Sequence, residues 1–301
     1  MPKFSASDAA FAGFRLVREH PKAVGVWALF MTVASAIATL LTIHFWGPQI
    51  EAFAEIMQDK SADPEVIASA VTGMMPMMLW TLPYNLFVQG VMLAAINRVI
   101  LAGHDSRNAY LRIGRDELRQ VGVLFLVNLI MIAVLTSSAV LSGVFIAIGG
   151  PAALLSLVAF VGGGCLMIYL AVRLSLASPM TFDTQKVSLR RSMPMTKGLF
   201  APLIGAYALA IVMAIIVWLL TMVIVSAITL IVSGDFSTAG SVMRSDATSL
   251  ETYFSAAGVV QTLFAGVVGT LVTLILSAPA PVIYQILKSD GAAEPVDASV
   301  S

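Results

Sequence analysis

The chain has 301 residues, 58% of them hydrophobic and 11% charged, with a mean hydropathy of +0.92. An ordinary soluble domain carries about 25% charge, so this composition excludes a soluble globular protein. Seventeen Lys and Arg balance seventeen Asp and Glu, which removes the net basic field that would make nucleic acid a partner.

A helix needs about 20 apolar residues to cross a hydrocarbon core about 30 Å thick. Six stretches meet that length, and the predicted spans are residues 23–46, 75–101, 121–148, 152–172, 200–232 and 258–287. The first is too long for the apolar core of a cleavable signal peptide and continues past the cleavage-like Ala34-Ser35-Ala36, which predicts a retained anchor. Only Gly149-Gly150-Pro151 separates the third span from the fourth, a tight hairpin signal. The fifth and sixth exceed the length a span requires, so they tilt or emerge as ordinary helix. The connection over 51–73 has helix-compatible composition around Ile56 and Val66. That over 234–257 is richer in Ser, Thr and Gly and is expected to be irregular in its first half. The expected fold is all-α: a polytopic membrane protein of one six-span domain over residues 1–288, with a flexible cytoplasmic tail over 289–301.

Lys and Arg near span ends are retained on the cytoplasmic side. Fifteen of the seventeen fall before the first span, in the second and fourth connections, or in the tail. Lys60 and Arg244 alone fall in the first and fifth connections, among eight acids. Both termini are therefore expected inside and the two acidic connections outside. Trp46, Trp80, Tyr84 and Tyr284 near span ends are expected to anchor at the membrane interface.

Three cytoplasmic segments share a spacing. Phe14-Arg15 is followed seven residues later by Lys22, Leu111-Arg112 by Arg119, and Leu189-Arg190 by Lys197. Seven residues make about two helical turns, which places the two cations of each segment near one face. Each segment is expected to form a short amphipathic helix on the membrane surface, where anionic lipids attract cations.

Candidate chemistry is sparse. Charges inside a bilayer mark ion paths and substrate sites, and no acid falls within a predicted span. Arg98 and Arg173 sit at span ends, where their long stems are expected to snorkel. The uncharged polar residues Asn85, Gln89, Asn128 and Gln261 are read as interhelical packing groups or, less simply, as the lining of a cavity. Gly258, Thr262, Gly266 and Thr270 recur every fourth residue, a helix-packing stripe, and Gly162-Gly163-Gly164 reads as a close helix contact. Pro179 is expected to mark a helix exit, and Pro279 with Pro281 a kink. Cys165 is the single cysteine, and His20, His44 and His104 lie apart, so no metal site and no cofactor are expected. No nucleophile elbow, P-loop or dinucleotide fingerprint is present, and no enzyme is expected.

The fourth span and its exit read RLSLASPMTFDTQKVSLRRSMPMTKGLF, residues 173–200. This resembles the bacterial glycerophosphoryl diester phosphodiesterase membrane domain family and related six-helix membrane proteins. Arg173, Ala177 and Pro179 match the first part of that family's pattern. Arg191, Ser192, Thr196, Lys197 and Gly198 match the second, while Pro194 departs from it. The segment NRVILAGHDSRNAYLRIGRDELRQ, residues 97–120, and PVIYQIL near the end are similar as well. The resemblance implies a module of the bacterial inner membrane without chemistry of its own, since hydrolysis in that family belongs to a separate barrel domain.

The reading is a non-enzymatic integral membrane protein, phospholipid-associated or a scaffold for another membrane protein. Arg173, Arg191 and Lys197 are the candidates for head-group contact. An uncoupled transporter or lipid-translocating protein, with a cavity near Gln261, Asn85 and Asn128, is the alternative.

Overall fold

Inside a bilayer no water satisfies backbone N–H and C=O groups, so long apolar segments must close their own hydrogen bonds. Six of them do so as helices long and apolar enough to cross a membrane. The computed structural model describes residues 4–58, 63–103, 107–233 and 249–290, and no strand occurs among them. The chain is an all-helical, multi-pass membrane protein. His104, much of the 234–257 connection and the tail beyond Asp290 lie outside the described residues.

In chain order the helices are α1 (Ala6–Ala10), α2 (Ala12–Glu19), α3 (Pro21–Gln58), α4 (Pro64–Gly73) and α5 (Met75–Asn97). A π turn over Arg98–Ala102 extends α5, and a tight turn follows at Arg107–Tyr110. Next come α6 (Arg115–Ile148), α7 (Ala153–Leu174), α8 (Ala177–Thr184), α9 (Leu189–Met195) and α10 (Phe200–Ser233). The described chain ends with α11 (Leu250–Tyr253), α12 (Ala256–Ser277) and α13 (Pro279–Ser289). The connection over 51–73 carries helix on both sides, as its composition suggests: α3 continues to Gln58 and α4 starts at Pro64, capped by the Asp63 carboxylate accepting from the Glu65 N–H. Ser289, the first residue of the expected tail, is the last residue of α13.

These helices form two compact units, each assembled from separated segments. Residues 1–15, 89–210 and 276–301 make one, and residues 16–88 and 211–275 make the other.

In the first unit α6 and α7 form the expected hairpin. Gly149 and Gly150 take positive φ (72° and 57°), a turn any side chain would strain, and Pro151 opens the short turn into α7. A Cβ at Gly163 would collide with Ser138, so the glycine run does mark a close crossing, at its middle member only. The core gathers Phe4, Leu176, Met180, Leu203, Ile283 and Tyr284. Elsewhere α6 and α7 leave large apolar side chains exposed, among them Phe125, Leu129, Leu154, Leu157 and Phe160. A soluble protein rarely exposes apolar patches of that extent, whereas hydrocarbon solvates them without penalty.

In the second unit the Gly258 to Thr270 stripe packs as expected. A methyl group at Gly266 would lie 2.7 Å from the Cα and Cβ of Thr32 on α3. One turn on, the buried Thr270 hydroxyl donates to the Gly266 carbonyl at 2.9 Å and faces the Trp27 carbonyl at 3.5 Å. The Tyr84 hydroxyl donates to the Ala34 carbonyl at 2.7 Å, so this ring is tied to α3.

Four expectations need correction. The second amphipathic segment is helical only from Arg115 on: Leu111 to Gly114 form no helix, after a turn in which Asn108, Ala109 and Tyr110 all take left-handed φ values of 51° to 67°. Its cation spacing is local, but the conformation follows from the Tyr110 side chain and carbonyl being drawn inward. Arg98 does not snorkel, being 6% exposed and paired inside the protein. Tyr284 is buried rather than interfacial. Pro179 does not end the fourth span outright, because helix resumes as α8 with Pro179 in its first turn, where a missing N–H is tolerated. The kink expected at Pro279 and Pro281 is present, between α12 and α13.

Candidate functional site

The polar groups of the first unit converge on α8. The Ser175 hydroxyl donates to the Val172 carbonyl at 2.8 Å as α7 ends, and the chain turns through Leu176 into the new helix. Five of its eight residues are buried. The helix stops at Gln185, which adopts a left-handed cap (φ 58°), with its amide donating to the Phe182 carbonyl.

Ser178, near the start of α8, joins two buried amides. Its hydroxyl donates to Gln120 Oε1 at 2.8 Å and accepts from Asn97 Nδ2 at 3.0 Å, while Gln120 Nε2 donates to the Ser178 carbonyl at 3.1 Å. Asn97 and Gln120 have almost no exposed surface, and burying amides without such partners would cost about 1–3 kcal/mol each.

One residue on, the Arg98 guanidinium donates to Glu117 Oε1 at 2.6 Å and to the Tyr110 carbonyl, and lies 5.7 Å from the Phe182 ring centre. Asp116 stands 3.6 Å away and bridges to Arg119 at 2.9 Å, and Arg119 also donates to Gln185. The left-handed turn at Asn108–Tyr110 acquires a reason here: it delivers a backbone carbonyl to a buried cation. On the other side of α8, Asp183 accepts from the Tyr284 hydroxyl at 2.7 Å and from Lys288 Nζ at 2.7 and 2.9 Å.

The sequence candidates fall into this frame unequally. Arg173 ends α7 with its guanidinium 5.8 Å from the Tyr169 ring centre, and its carbonyl accepts from the buried Ser192 hydroxyl at 2.7 Å. The Thr196 hydroxyl, also buried, faces the same carbonyl at 3.4 Å and donates to the Ser192 carbonyl at 2.9 Å. Gly198 takes a φ of 79°, which lets the chain turn from α9 into α10. The small polar members of the Arg-Ser and Thr-Lys-Gly steps therefore hold α9 against the end of α7. Arg191 and Lys197 are left on the exposed side. Pro194 is accommodated because α9 is only seven residues long and ends one residue later.

Asn128 is exposed and donates to the Leu124 carbonyl of its own helix at 2.8 Å. Asn85 is exposed and Gln89 half-buried. Gln261 lines a small pocket of about 160 Å³ in the second unit, with Trp218, Thr221 and Phe264 among its walls. Among the described residues, no group of three or more His, Cys, Asp or Glu is placed to hold a metal ion.

A larger groove of about 570 Å³ runs through the first unit. Val123, Val127 and Met131 of α6 and Met167, Ala171 and Leu174 of α7 wall it, and Ser175, Ser178, Tyr207 and Ser277 are its polar lining residues. Sequence reading missed Asn97, Gln120, Ser178, Asp183 and Glu117. Each is an ordinary polar residue near a span end, and nothing local distinguishes it from a solvated one. No family model, curated protein or solved structure matches the chain.

Proposed function

We propose that the chain is a non-enzymatic, phospholipid-associated module of a bacterial inner membrane, with both termini cytoplasmic and Arg173, Arg191 and Lys197 contacting lipid phosphates. The observation that carries this reading is the surface formed by α9 and its flanks. Lys186, Arg190, Arg191 and Lys197 are exposed, and the sequence from residue 184 to residue 234 carries cations and no Asp or Glu. The backbone beneath is held by Ser192 and Thr196, so the cations need not be ordered afresh when an anion arrives. Each cation near an anionic surface contributes about 1 kcal/mol, close to fivefold in partitioning. The cations at the α5 to α6 connection serve differently, since Arg98 and Arg119 are matched by Glu117 and Asp116. The placements of Asn85, Asn128 and Gln261 do not favour the alternative of an uncoupled transporter.

Mass spectrometry of lipids retained in native lipid particles tests the reading. Enrichment of anionic lipid over bulk membrane is expected, and it should be lost when Arg173, Arg191 and Lys197 are all changed to Ala. Bulk-like lipid beside a stoichiometric protein partner would replace this reading with a scaffold.

Orientation has its own test. In a Cys165→Ser background, a membrane-impermeant maleimide should label Glu65→Cys in intact spheroplasts and Lys186→Cys only after permeabilisation. Both positions are exposed, so the reverse pattern would invert the topology.

A further inference from the structure

Two features of the groove in the first unit are unexplained by packing. It is wide for a well-packed interior: its 570 Å³ falls within the roughly 300–1,000 Å³ typical of ligand sites, whereas protein cores leave few voids larger than water. It also holds a polar atom that the protein does not satisfy. The Tyr207 hydroxyl is buried and makes no hydrogen bond. The Ser175 hydroxyl is the group nearest in kind, but it does not close a hydrogen bond with Tyr207 and turns its own proton to the Val172 carbonyl. A buried hydroxyl without an acceptor costs about as much as a lost hydrogen bond, so it points to an acceptor that comes from elsewhere.

The walls state what kind of molecule brings it. Along α6 the groove extends from Val123 to Met131, about 12 Å at 1.5 Å per residue, and along α7 from Met167 to Leu174, with apolar side chains throughout. Its polar atoms cluster toward Ser175 and Ser178, at the end where α7 gives way to α8. The residue beside that end is Arg173, and above it stand the cations of α9. Apolar length, then a hydroxyl donor, then cations is the order in which a diacyl phospholipid presents hydrocarbon, ester carbonyl and phosphate.

We propose that this groove holds one acyl chain of a membrane phospholipid, with the Tyr207 hydroxyl donating to the ester carbonyl. The inference rests on the phospholipid reading above and adds to it a seat for the tail. It separates a resident lipid from the mobile lipid that wets exposed side chains such as Leu154 and Phe160.

Phosphatidylglycerol and phosphatidylethanolamine, each carrying a diazirine on one acyl chain, test it after photolysis of the full-length protein in bilayer discs and peptide mapping. Cross-links should concentrate on the Val123–Met131 and Met167–Leu174 stretches. Ala171→Phe, which fills the groove with an aromatic ring, should reduce them at least tenfold. Tyr207→Phe removes only the donor and should weaken labelling about fivefold with the fold retained. Labelling spread evenly over the lipid-exposed faces, or unchanged in both variants, would overturn the proposal. The two probes keep this result apart from the head-group reading. Groove labelling of both probes without preference sustains the tail site while removing head-group selectivity. A preference for phosphatidylglycerol without groove labelling sustains the head-group contact and removes the tail site.

Discussion

Changing Glu117 to Ala is expected to destabilise the protein by about 3–5 kcal/mol, the cost of breaking a buried ion pair by removing one partner. The change leaves the Arg98 guanidinium buried with the Tyr110 carbonyl and a carboxylate of Asp116 at 3.6 Å, too distant for a hydrogen bond. Both partners of the native pair are nearly inaccessible, so solvent cannot take over the lost interaction. Equilibrium unfolding in mixed detergent micelles gives the number. The companion variant Glu117→Leu with Arg98→Met should recover most of the loss, because it removes both charges at similar volume. A loss under 1 kcal/mol for Glu117→Ala would show that Arg98 reaches water and that the pair is peripheral.

Changing Gly266 to Ala should cost about 1–3 kcal/mol, the range for forcing extra methylenes into a packed interface. The neighbouring atoms at 2.7 Å include the Thr32 Cα, and backbone cannot rotate aside as a side chain can. Helices α3 and α12 must separate, which also loosens Thr270 from the Trp27 carbonyl. Gly25 on the same α3 provides the contrast, since a Cβ there meets nothing within 4 Å. Gly25→Ala should therefore stabilise by about 0.5–1 kcal/mol through helix propensity alone. Thermal unfolding of the two variants in one detergent should give shifts of opposite sign. Shifts of the same sign would mean that the stripe does not govern the contact.

The difference between these glycines bears on how much a sequence can disclose. Gly266 belongs to a four-residue repeat of small residues, and repetition on one helix face is a local signal. Gly163 shares a triplet with Gly162 and Gly164, yet only the middle residue meets another helix. The triplet announces a contact, and the register of α6 against α7 decides which residue makes it.

Of the proposed head-group residues, Arg173, Arg191 and Lys197 were legible as cations next to spans, and the structure places all three around the α7 to α9 corner. Ser192 and Thr196 were legible only as motif members. Their work is to hydrogen-bond around a carbonyl some twenty residues away, a relation with no local trace.

The sequence alone determined the number of spans, the hairpin at Gly149-Gly150 and the helical class, because bilayer thickness and backbone hydrogen bonding act on each segment by itself. Tertiary structure decided that Arg98 is buried against Glu117, that α7 continues into α8, and that an open groove with an unsatisfied Tyr207 hydroxyl lies beside them. Those outcomes depend on which distant residues supply a partner or fail to, and a charge near a span end looks the same in sequence whether water or a carboxylate will meet it.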